Sequence, residues 1–106
     1  MRRPFSIEAE DAVIAAMLMD EAALRQALCL LEAPHFSQPA ARITFEIVRE
    51  LRAESAHVDA VAVGERFPGL RPYLVRVLDE HPFARGFDDA VALVAHCGHR
   101  GWENGV

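Results

Sequence analysis

Ser6-Ile7-Glu8-Ala9-Glu10-Asp11-Ala12-Val13-Ile14-Ala15-Ala16-Met17-Leu18-Met19-Asp20 is the stretch on which the fold turns. Ser6 reads as an N-cap, and the helix it opens runs from Ile7 to about Met19. Glu8, Glu10 and Asp11 fall in the first turn, where unpaired N–H groups and the helix dipole favour negative charge. Ala9, Val13, Ala16 and Met17 form one stripe, which Ile14 and Leu18 widen. A helix apolar round so much of its circumference belongs at the centre of a bundle.

Outward from this helix the same grammar repeats. Asp20 caps a second helix, Glu21 to about Leu31, with Leu24, Leu28 and Leu31 at i, i+4, i+7. Pro34 stops it, and Ser37 or Gln38 followed by Pro39 starts a third, where proline's missing N–H costs nothing. This third helix, to about Ala53, turns Ile43, Ile47 and Leu51 one way, with Thr44 and Val48 beside them. Arg42, Glu46, Arg49, Glu50 and Arg52 read as a solvated face, with Arg42–Glu46 and Glu46–Arg49 spaced to pair.

Asp59 caps a helix from Ala60 to about Phe67. The alternation of Val58, Val61 and Val63 also allows a strand, but such a strand would have no partner in this sequence. Pro68-Gly69 is a turn, and Pro72 starts a helix from about Tyr73 to Glu80 with Leu74, Val77 and Leu78 inward. Asp88 or Asp89 opens a last helix to about His96. The expected fold is all-α: six short helices in one bundle over residues 1–96, with a Gly-containing flexible tail at 97–106.

Composition agrees with that fold and narrows function. A chain of 106 residues supports one domain, and 52% apolar residues supply a core. Eighteen alanines favour helix over sheet. The net charge is −5, with acids outnumbering bases 16 to 11, so a main partner bound through its phosphates is disfavoured. The chain has no lysine, and a P-loop needs one to reach the β- and γ-phosphates. ATP hydrolysis by that route is excluded for this chain. The apolar run Ala12–Met19 is too short to cross a bilayer, and no signal peptide precedes Cys29 and Cys97. A cytoplasmic protein with reduced thiols and no membrane association is expected.

No residue set reads as catalytic, cofactor-binding or metal-binding. His96-Cys97-x-His99, with Cys29 and His35 elsewhere, lacks the paired short spacings of a structural zinc site. Asp79-Glu80 and Asp88-Asp89 each flank a helix end and read as solvated caps. Ser6 and Ser37 sit at proposed helix starts, which leaves a Ser/His/Asp triad little to stand on.

Beyond these local readings, Pro4-Phe5-Ser6-Ile7-Glu8-Ala9-Glu10-x-Ala12-Val13, continuing to Met17-Leu18-Met19-Asp20, resembles the opening of DnaB-type replicative helicases. Further pieces follow in order. Leu31-Glu32-x-x-x-Phe36 is similar to the family's L-x-P-x-x-F corner, and Ile43-x-Phe45-x-x-Val48-x-x-Leu51 to its third helix. Val58-Asp59-x-Val61-x-Val63 resembles the P-I-D-x-V-T-V segment, and Tyr73-Leu74-x-x-Leu78 the Y-L-x-x-L helix. The sequence departs where a G-G turn becomes Gly69-Leu70-Arg71-Pro72, and the family's following helical hairpin and ATPase domain are not in it.

The resemblance implies the globular head on the N-terminal collar of a ring helicase, without motor chemistry. It further implies a part in the primosome of DNA replication: ring assembly with other helicase subunits, and binding of primase or a helicase loader. Glu8 and Tyr73 are the positions that look like the family's partner-contact surface. By residue chemistry alone, Glu8 complements the helix dipole, and Tyr73 is either an interface anchor or a half-buried bundle residue. Without the hairpin, a monomer or weak homodimer is expected. The alternatives are a primase's C-terminal helicase-binding domain, a free-standing helicase modulator, or a nucleic-acid-binding bundle using Arg42, Arg49 and Arg52.

Overall fold

The central helix owes its position to having almost no polar side to offer water. The structure, a computed structural model, describes residues 7–81. Its first helix, α1 (Ile7–Met19), is buried on nearly every face, and Val13, Ile14 and Ala15 are wholly inaccessible. It packs against α2 (Glu21–Leu30), α3 (Pro39–Ala53) and α5 (Arg71–Glu80). Between α3 and α5 lies α4 (Ala60–Arg66), and 3-10 turns at Ala33–His35 and Pro68–Leu70 complete the described chain. The all-α expectation holds, and there is no strand among the described residues. The expected sixth helix, to about His96, and the tail at 97–106 lie outside them, as does the Ser6 cap.

The helix starts follow local chemistry. Asp20 accepts from the Ala23 N–H at 3.3 Å and Asp59 from the Ala62 N–H at 2.8 Å, so both act as N-caps as expected. Val58, Val61 and Val63 do not form a strand, because Asp59 nucleates a helical turn between them. α5 begins at Arg71, two residues before the expected start, because the Pro68–Leu70 turn runs directly into it.

α3 ends in a Schellman motif: Ala56 N–H donates to Leu51 O at 2.9 Å and Ser55 N–H to Arg52 O at 3.0 Å. The residue in the left-handed position is Ser55, with φ 59°, where glycine is usual.

The core joins Val13, Ile14 and Met17 of α1 to Leu24 and Leu31, Phe45 and Val48, and Leu74 and Val77. Phe36 and Phe45, both fully buried, pack with ring centroids 5.1 Å apart at 37°. This aromatic pair anchors the corner between α2 and α3.

The arginines of α3 behave differently from their spacing. Neither expected pair with Glu46 is the contact made. The Arg42 guanidinium donates to Phe36 O at 3.1 Å and Ser37 O at 3.3 Å. Arg49 donates to Leu31 O at 3.1 Å and stands 5.2 Å from the Phe45 ring centroid. Arg52 pairs with Glu21 of α2. Exposed pairs along a helix are worth only about 0.2–0.5 kcal/mol, so carbonyls of the 31–37 corner that lack a helical donor compete successfully. The face read as solvated therefore fastens α3 to the α2–α3 connection.

Candidate functional site

Two acids inside the apolar stripe of α1 organise the chemistry of the bundle. Glu10 and Asp11, expected only as first-turn acids that complement the dipole, are 1% and 3% exposed. Burial of a carboxylate demands hydrogen-bonded partners, and each finds a full set. Glu10 Oε2 accepts from the Ser37 N–H at 3.0 Å and the Ser37 hydroxyl at 2.7 Å; Oε1 accepts from the Gln38 N–H at 3.2 Å. Its charge thereby caps the approach to α3 from another helix, while Gln38 at the N-cap position makes no side-chain cap of its own. The Ser37 hydroxyl is used in this bond.

Asp11 ties three elements. Its Oδ1 accepts from Gln38 Nε2 and from the Tyr73 hydroxyl, each at 2.9 Å, and Oδ2 faces Arg76 at 3.2 Å. Burial, then the facing Asp11 carboxylate, push the Tyr73 phenol well above its ordinary value. The Asp11 charge likewise raises the Arg76 guanidinium, which also stands 5.4 Å from the Tyr73 ring centroid. Oxygens of Asp11 and Glu80 and a ring nitrogen of His81 come within 4.8 Å of one another. A cation already stands there: Arg76 reaches Asp11 at 3.2 Å and Glu80 at 3.1 Å. Glu80, read as a solvated cap, is thus half of an ion pair.

The sequence contained a signal for this clamp. Glu10 lies three and four residues before Val13 and Ile14, and Asp11 lies three and seven before Ile14 and Leu18. Helical spacing alone puts both acids on a face destined for the core.

The two residues expected at a partner surface are placed differently. Glu8 is exposed on the first turn of α1. Tyr73 is half-buried, with its hydroxyl committed to Asp11. Of the other sequence candidates, His35 Nδ1 accepts the Glu32 N–H at 2.9 Å as a cap, and Cys29 is an exposed thiol. His96, Cys97, His99, Asp88 and Asp89 lie outside the described residues. Arg42, Arg49 and Arg52 all point into protein acceptors, so they do not line up as a phosphate-binding face.

An open groove of about 380 Å³ lies between α4 and α5. Ala60, Gly64, Leu74 and Leu78 line it together with Val61 and Val75, which are 66% and 68% exposed. Sequence reading missed it, because it weighed Val61 only for helix against strand and assigned its side chain to no face.

This arrangement of helices is shared. The family model described as the DnaB-like helicase N terminal domain matches residues 2–96. The chain belongs to that family. The crystal structure of the N-terminal domain of DnaB helicase from Mycobacterium tuberculosis superposes with a TM-score of 0.79 at 25% identity, over 92% of this chain and 73% of that one. No curated protein sequence matches. The resemblance read from Ser6-Ile7-Glu8-Ala9-Glu10 and the later motifs is thereby supported over most of the chain. What matches is the N-terminal domain of a replicative helicase, not its motor. No described helix is long and apolar enough to cross a membrane.

Proposed function

We propose that this DnaB-like domain is a protein-interaction module of DNA replication, contributing to helicase ring assembly and to the binding of primase or a helicase loader. The observation that carries the reading is the family match across residues 2–96, joined to the DnaB N-terminal fold. Composition supports it: with no lysine and a net charge of −5, the chain is poorly suited to nucleotide hydrolysis or to phosphate-backbone binding. So does the buried polar chemistry, since Glu10 and Asp11 spend their lone pairs on the fold's own donors.

Glu8 and Tyr73 are the proposed contact residues, and the fold asks different things of them. Glu8 is free to meet a basic residue of a partner without disturbing α1. Tyr73 can offer only its ring surface, because its hydroxyl holds Asp11. Replacement by phenylalanine would leave that ring in place.

Isothermal titration of the 106-residue chain with the cognate primase and with the loader tests the reading. Binding with a micromolar Kd is expected, weakened by Glu8→Arg through charge reversal at the interface. Absence of heat and of a gel-filtration shift with both partners, at about ten times a micromolar Kd, would overturn it.

A further inference from the structure

We propose that Asp11, Glu80 and His81 form a binding site for one divalent first-row metal ion, which takes the place of the Arg76 guanidinium between the two carboxylates.

Three donors of suitable kinds converge there from α1 and the end of α5. One oxygen each of Asp11 and Glu80 and a ring nitrogen of His81 lie within 4.8 Å of one another. Two ligands about 2.1 Å from one ion stand up to about 4.2 Å apart, so closing on an ion asks for a contraction of about half an ångström. Glu80 is exposed and His81 is half-buried at the C-cap of α5, so both have room to make it. Asp11 needs no movement. Tyr73 and Gln38 both hold its Oδ1, which leaves Oδ2 aimed at the site. Outer hydrogen bonds of this kind fix the orientation of a carboxylate ligand.

The resident guanidinium shows where positive charge is wanted and how loosely it is held. A single nitrogen, Nη1 of Arg76, reaches Asp11 Oδ2 at 3.2 Å and Glu80 Oε1 at 3.1 Å. Arginine holds a carboxylate best through two parallel bonds of about 2.7–2.9 Å, and it makes no such pair with either acid. Nη1 acts instead as a point charge between two acids, a role in which the planar fork of arginine has no advantage. The Arg76 side chain is 44% exposed, so it can withdraw into water at small cost.

Charge and donor chemistry choose the ion. The two carboxylates carry two negative charges, which a divalent ion cancels and Arg76 only halves. α5 has no basic residue in its last turn, so its C-terminal carbonyls add to the pull on a cation. Two oxygens and an imidazole nitrogen without a thiolate suit Mn²⁺, Co²⁺ or Zn²⁺ rather than the all-oxygen preference of Ca²⁺. Bound there, the ion clips the last turn of α5 to the buried face of α1.

Titration of the 106-residue chain with Co²⁺, followed by calorimetry and visible absorbance, tests the proposal. One equivalent is expected to bind with a Kd below about 100 μM, without a thiolate charge-transfer band, and to raise the urea midpoint. Asp11→Asn would disturb the fold, so the ligands to change are Glu80 and His81. Glu80→Gln and His81→Ala are each expected to weaken binding about tenfold or more. Arg76→Ala is expected to tighten it about threefold or more, because the competing cation is gone; a purely structural arginine would not give that sign. Helical circular dichroism checks that each variant is folded. No binding at about 1 mM Co²⁺ overturns the proposal. Binding indifferent to Glu80→Gln or to His81→Ala, or not tightened by Arg76→Ala, overturns it as well. Co²⁺ bound only with a thiolate band that Cys97→Ser abolishes belongs to the His96-Cys97-x-His99 segment, and that result also sinks the site.

Discussion

The Tyr73 hydroxyl donates to Asp11 Oδ1 at 2.9 Å, joining α5 to the buried face of α1 across 62 residues of chain. Gln38 Nε2 shares the same oxygen at 2.9 Å, so one carboxylate locks the first, third and fifth helices. A residue proposed as a partner contact is therefore also a structural tie.

That tie has an alkaline signature. Tyr73 is the chain's single tyrosine, and its phenol is raised above the ordinary value of 10.0. A group whose folded pKa is raised contributes stability present below its unfolded value and lost as pH rises. Stability should therefore decline above about pH 10, at up to about 1.4 kcal/mol per pH unit. Phenolate absorbance is expected to appear only together with loss of helical circular dichroism. Ionisation near pH 10 in a fully helical protein would contradict the bond. Tyr73→Phe should cost about 1.5–3 kcal/mol, since the lost hydrogen bond is to a charged group.

Glu10 has a sharper requirement. Each of its oxygens accepts from a donor of the 37–38 corner, so neither position tolerates an N–H. Glu10→Gln keeps the volume but turns an amide donor onto a backbone N–H. A loss of about 2–4 kcal/mol is expected in urea denaturation, with the m-value retained. A loss under about 0.5 kcal/mol would show that the clamp does not hold α3.

At Ser55 the fold can be improved. The residue sits at φ 59° in the Schellman motif that ends α3, where a Cβ is unfavourable. Ser55→Gly relieves that cost but adds unfolded-state entropy, giving a net gain of about 0.5 kcal/mol. Ser55→Val, β-branched in the same region, should lose about 1 kcal/mol or more. The order of the three urea midpoints is the readout.

Two surface pairs contribute to the acid limb. The Arg52 hydrogen bond holds the Glu21 carboxyl below its ordinary 4.5, and Arg66 does the same for Glu54. With folded values depressed, their contribution is present above the unfolded value and lost as pH falls through the folded one. Arg52→Ala and Arg66→Ala should each flatten the fall in urea midpoint between about pH 5 and 2. All four groups are solvated, so salt should flatten it as well.

The groove and the clamp differ in how far they could be read beforehand. Residue spacing showed that α1 is central and that Asp20 and Asp59 are caps, because those readings depend on neighbours within four residues. It also held the hint that Glu10 and Asp11 lie under the apolar stripe. It could not show what satisfies them, since Ser37, Gln38, Tyr73 and Arg76 stand 27 to 65 residues away. The arginines of α3 were misassigned for the same reason: their local partner Glu46 was visible, and the competing carbonyls of Leu31 and Phe36 were not.

The sequence by itself therefore determined an all-helical domain, the helices between residues 7 and 80, the lack of a P-loop lysine and the likeness to the DnaB N-terminal family. Periodicity, capping and composition act locally or in sum, and they survive without a three-dimensional arrangement. Only the tertiary structure decided which charges are spent inside and which remain for a partner. Burial strips water from Glu10 and Asp11, and a stripped carboxylate must be satisfied by whichever donors the packing brings near. What is left facing solvent, Glu8 on α1 and Val61, Glu65, Arg71 and Val75 round the α4–α5 groove, is settled by the same packing.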